Sequence, residues 1–68
     1  MASDRAKKGL RESLEEEIRK HEAEVKRIEV YAPHLADEHQ RKTDQDRVKY
    51  LRQSIESLRK MIRLVEEL

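Results

Sequence analysis

Two apolar stripes, phased differently on either side of a single proline, limit what this chain can fold into. In the first half Leu14, Ile18, His21, Val25, Ile28, Ala32 and Leu35 step by four and three residues, and six of these seven are apolar. That is the period of a heptad seam, with Ile18, Val25 and Ala32 at a and Leu14, His21, Ile28 and Leu35 at d. In the second half Val48, Leu51, Ile55, Leu58, Ile62 and Val65 repeat the pattern, all six apolar. Neither stripe survives the middle. The first carried forward meets His39, Lys42 and Asp46, and the second carried backward meets Asp44, Arg41 and Asp37. The two registers differ by two residues, and Pro33 lies between them, removing an amide donor and disfavouring α geometry at Ala32. One continuous rod is therefore disfavoured. The expected fold is all-α, an antiparallel two-helix coiled-coil hairpin that dimerises into a four-helix bundle.

Local signals set expected boundaries. Residues 1–9 read as a flexible basic arm, with Gly9 weakening any helix that starts there. Residues 10–68 form the hairpin, the first helix running from about 10 to 31. Ser13 reads as its cap, with Glu15, Glu16 and Glu17 in the first turn where carboxylates suit the positive helix end. A connector spans about 32–43 and the second helix about 44–68. Thr43 suits its N-cap, with Asp44 and Asp46 in the first turn; an earlier start near Asp37 competes with it.

Composition agrees. The chain has 68 residues, 46% charged and 3% aromatic, with one glycine and one proline, a balance that suits long helices and argues against β-sandwiches and nucleotide-binding α/β folds. Disorder is the usual reading of so much charge, but the apolar residues here are regularly spaced. A single seam between two helices rarely offsets roughly 1.5 kcal/mol of conformational entropy per ordered residue with much to spare. Self-association is accordingly expected, as a homodimer. No cysteine is present, so there is neither a disulfide framework nor a thiolate metal site, and no stretch is apolar enough for a secretory signal or membrane span. A cytoplasmic or otherwise intracellular setting is expected.

Charge separates along the chain. Glu12 to Tyr31 holds seven acidic residues against four basic, whereas Arg41 to Arg63 holds eight basic against three acidic. Two halves of opposite sign suit elements lying side by side. Antiparallel pairing brings facing e positions together and sets Glu29 near Arg52 and Glu22 near Arg59. Beyond the seam, Leu10, Met61, Leu64 and Leu68 widen the apolar stripe at the open end, marking a second interface. The expected interaction surface thus comprises Leu10, Leu14, Ile18, His21, Val25 and Ile28 of the first helix. From the second it takes Val48, Leu51, Ile55, Leu58, Met61, Ile62, Leu64, Val65 and Leu68. The chain closes on Glu66-Glu67-Leu68, which suits a domain excised from a longer coiled-coil protein as well as a whole one.

Chemistry-bearing residues are few. His21 at a d position could serve as a pH-sensitive layer or a partner contact. The favoured reading is structural: half-buried with its polar edge toward solvent, or a polar layer that fixes register. His34, Asp37, Glu38 and His39 cluster in the connector, but their spacing matches no standard zinc signature and reads as a solvated turn. No nucleophile–base constellation stands out and the lone glycine rules out a phosphate-cradling loop, so no catalytic residue, cofactor or metal is expected. Lys49, Arg52, Arg59, Lys60 and Arg63 give the second helix a basic face that suits nucleic-acid phosphates, with Tyr50 available for stacking. Glu56 interrupts that face, and the competing reading is a salt-bridged, solvated one.

The segment Leu14-Glu15-Glu16-Glu17-Ile18-Arg19-Lys20-His21-Glu22, with a polar connector and then Val48-Lys49-Tyr50-Leu51-Arg52-Gln53-Ser54-Ile55-Glu56-Ser57-Leu58, resembles the antiparallel coiled-coil finger (homology region 1) of Rho effector proteins. Ala23-Glu24 stands where that family usually carries Gly-Ala. The resemblance implies a hairpin that binds a small GTPase through its helix faces. The functional expectation is a non-catalytic protein-interaction and oligomerisation module. A nucleic-acid-binding hairpin and an assembly fragment of a longer coiled coil are the alternatives.

Overall fold

A computed structural model describes residues 3–31 and 37–68. Two helices make up the fold, α1 from Asp4 to Tyr31 and α2 from Glu38 to Glu67. Cross-helix ion pairs join Glu22 to Arg59 and Glu29 to Arg52, so rising numbers on one helix meet falling numbers on the other. The helices are antiparallel, as the two phases required. The Cα trace measures 54 × 14 × 10 Å, and the described residues form a pair of rods with no third layer among them.

The first helix starts earlier than its glycine suggests, and residues 4–9 of the expected arm are helical instead; residues 1–2 lie outside the described residues. Ser3 caps it: the Ala6 amide donates to Ser3 Oγ at 3.2 Å and the Lys7 amide to the Ser3 carbonyl at 3.0 Å. Ser13, the expected cap, sits inside the helix. Gly9 costs about 1 kcal/mol relative to alanine in a helix interior. The serine cap offsets an amount of that order, and i,i+4 pairs from Lys8 to Glu12 and Arg11 to Glu15 straddle the glycine.

The second helix likewise begins at the earlier of its two candidate caps. Asp37 lies in extended geometry and its carboxylate accepts from the His39 amide at 2.9 Å. Residues 38–43 of the expected connector are therefore helical. Thr43 is an interior residue whose hydroxyl donates to the His39 carbonyl at 3.0 Å, a bond back along an existing helix. Its expected capping role is corrected with that. Ala32, Pro33, His34 and Leu35, which carried the end of the first seam, the break and part of the histidine cluster, lie outside the described residues.

Among the described residues the core is Ile18 and Val25 of α1 against Leu51 and Ile55 of α2, all a or d positions. Leu51 is 1% exposed, the most enclosed of them. Leu14, His21, Ile28, Val48, Leu58, Ile62 and Val65 flank this centre half-buried, so both stripes meet in one seam. The fold is thus the expected all-α hairpin.

Candidate interaction surface

The seam leaves two long sides, and they differ in kind. On the side of the e positions, Glu22 Oε1 accepts from Arg59 at 3.2 Å and Glu29 pairs with Arg52. These are the two pairs expected from antiparallel register. Along α2 this side shows Lys49, Arg52, Glu56, Arg59, Arg63 and Glu66. One heptad beyond Glu22–Arg59 the same geometry sets Glu15 against Glu66, two like charges. Arg11 stands 3.8 Å from Glu15 and lines a groove that Glu66 also borders, which brings a positive charge to that end.

The arginines at the centre of the expected basic face are thus engaged by glutamates of α1. The pairs are half-exposed, with side-chain accessibilities of 61% and 51% for Arg59 and Glu22. Exposed pairs of this kind are worth only about 0.2–1 kcal/mol each, so they orient the helices more than they hold them. Lys49, Lys60 and Arg63 form no ion pair among the described residues.

On the side of the g positions, Arg47 makes a forked contact with Glu24 at 3.1 and 3.4 Å. This cross-helix pair was not foreseen, although facing g positions meet in antiparallel pairing as e positions do, and the heptad assignment carried the signal. Arg47 also lies over the Tyr50 ring, 5.5 Å from its centre, a cation–π contact that leaves Tyr50 58% exposed. Two heptads from Glu24–Arg47, the same register places Leu10 opposite Met61. Beside them Leu64 and Leu68 continue along α2. All four are expected outer-interface residues, and they are 49–63% exposed. Between Tyr50 and this apolar end runs a groove lined by Glu17, His21, Ser54, Ser57 and Leu58.

His21 contributes to that groove from its seam position, its side chain 24% accessible. Its ring Nδ1–H donates to the Glu17 carbonyl at 2.8 Å; a carbonyl oxygen only accepts, so Nδ1 carries the proton. That nitrogen is thereby satisfied within one turn of its own helix. No group of three or more His, Cys, Asp or Glu residues is placed to hold a metal ion among the described residues. None of the described helices is long and apolar enough to cross a membrane.

Glu16 is the carboxyl group most affected by its surroundings. The hydrogen bond and charge of Arg19, 2.6 Å away, hold its pKa below the ordinary glutamate range, and the same contact raises that of Arg19. Both side chains are exposed, so the contact adjusts a surface and builds no reactive site. Searches of family models, curated proteins and solved structures find no match to this chain.

Proposed function

We propose that the protein is a non-catalytic helical-hairpin interaction module that docks protein partners through the face bearing Leu10, Met61, Leu64 and Leu68. One observation carries the reading. On a molecule that is 46% charged, these residues stand together, half to two-thirds exposed, immediately outside a seam that is already complete without them. Large apolar side chains grouped at one site and rimmed by charge mark an interaction surface, whereas scattered ones need no explanation. The resemblance to Rho effector fingers makes a small GTPase the partner class to test first. Nucleic-acid binding through α2 has less support, since Arg52 and Arg59 are already held by Glu29 and Glu22.

Affinity capture from the native host, with wild type and Leu64→Lys as parallel baits, tests the proposal. Leu64 is 63% exposed, so the substitution leaves the seam intact, and circular dichroism verifies equal helicity. Proteins retained by wild type and lost by the variant are expected. Identical retention by both baits refutes docking through this face.

A further inference from the structure

The outer face of α2 carries a pattern of its own. Tyr50, Ser54, Ser57, Met61, Leu64 and Leu68 alternate between c and g positions, four and three residues apart, which is a second heptad stripe. It lies about 110° round the helix from the seam, close to the angle at which a helix meets two neighbours in a bundle. All but Ser54 are exposed. The opposite flank of α2, from Lys49 to Glu66, has no apolar residue at e or b positions. One side of the helix is built for water and the other for a helix.

We infer that this stripe seats a second copy of the chain, α2 against α2 in antiparallel orientation about a two-fold axis between Ser54 and Ser57. The inference rests on the interaction reading above and names its partner. Size comes first. Read outward from the small serines, the stripe grows toward Tyr50 at one end and Met61, Leu64 and Leu68 at the other. In a two-fold pair Ser54 faces the partner's Ser57, where the helices approach most closely. Tyr50 then faces the partner's Met61 on both sides of the axis, and Leu64 faces the aliphatic stem of the partner's Arg47. Each exposed ring is covered by an exposed thioether.

Charge selects the register. The f positions border the stripe, and in this pairing Asp46 faces the partner's Lys60 twice, with Gln53 facing the partner's Gln53. Sliding the pair one heptad toward the open ends sets Asp46 against the partner's Glu67 twice. Sliding it a second heptad sets Lys60 against the partner's Lys60. One heptad the other way leaves Met61 and Leu64 facing the partner's Thr43 and Gln40. The side-by-side register therefore covers Tyr50 and Met61 and pairs opposite charges, with Leu68 alone left beside the partner's Thr43. Its neighbours lose the opposite charge or the coverage of Met61 and Leu64.

The absence of cysteine allows a direct test in the full chain. Tyr50→Cys and Met61→Cys are made separately, mixed, and oxidised mildly. The mixed disulfide is expected to form, with neither variant cross-linking alone. Residues 50 and 61 are eleven apart, so like positions lie about 16 Å apart along the axis, beyond the roughly 7 Å Cα separation a disulfide tolerates. Asp46→Cys mixed with Lys60→Cys repeats the test without altering the stripe, and sedimentation of wild type is expected to rise from one chain toward two with concentration. Cross-linking by Met61→Cys alone would mean that open ends meet, and cross-linking by both single variants would mean a parallel pair; either overturns the inference. An invariant monomer whose capture of other proteins still depends on Leu64 overturns it too, leaving the interaction reading in place. A monomer whose capture ignores Leu64 overturns both.

Discussion

Truncating Leu51 to alanine tests whether the central seam holds the fold. Among the described residues Leu51 is the one side chain that the two helices enclose almost fully, at 1% exposure. Removing a buried leucine down to alanine costs about 2–5 kcal/mol, the spread reflecting how far the surroundings collapse into the gap. Two helices can close on each other more easily than a three-layer core, which points to about 3 kcal/mol. A domain of this length has a total stability of roughly 3–10 kcal/mol. The substitution therefore removes about 30% or more of it, and at roughly 4–8 °C per kcal/mol the midpoint falls by about 12–24 °C. The matched control is Val30→Ala at an outward f position, 58% exposed, where a change within about 0.5 kcal/mol is expected. Thermal and urea unfolding followed by helical circular dichroism compare the two at one low concentration, because association would raise apparent stability. Equal midpoints for Leu51→Ala and Val30→Ala would show that the seam does not carry the fold.

Other consequences follow from the caps, the ion pairs and the glycine. Asp37→Ala should destabilise by about 1 kcal/mol through loss of its N-cap and Thr43→Ala by much less; the reverse order in urea midpoints would move the helix start back to Thr43. A double-mutant cycle on Glu22 and Arg59 should give a coupling of about 0.5 kcal/mol that shrinks in high salt, and a coupling near zero at low salt would contradict the pairing. Gly9→Ala should stabilise by about 0.5–1 kcal/mol, since an added Cβ meets nothing within 4 Å and the site is helical; no gain in helicity would argue for a frayed arm. Glu16 has a folded pKa below its unfolded value, so its contribution is complete above the ordinary glutamate range and disappears as pH falls through the lower folded value. Carboxyl NMR should show Glu16 titrating later on acidification in the wild type than in Arg19→Gln, and equal titration in the two would refute the contact.

Each part of the structure was legible to the extent that side-chain period alone encodes it. The two stripes, their mismatch across Pro33 and the pairs Glu22–Arg59 and Glu29–Arg52 follow from numbering, because a residue's place on a helix is set by its position modulo the heptad. Leu10, Met61, Leu64 and Leu68 were legible as surplus apolar residues for the same reason. The start of each helix was not. Ser3 competes with Ser13, and Asp37 with Thr43, through caps of similar strength, each worth about 1 kcal/mol.

What the sequence by itself determined is the antiparallel hairpin and its seam, since two out-of-phase stripes cannot run on as one rod and folding back lets each cover the other. What only the tertiary structure decided is the state of the surface left over. It joined Glu24, Arg47 and Tyr50 in one contact chain and left Leu10, Met61, Leu64 and Leu68 exposed beside a closed seam. Those outcomes depend on which side chains reach across the seam, and reach is a matter of distance between helices, which no single stripe contains.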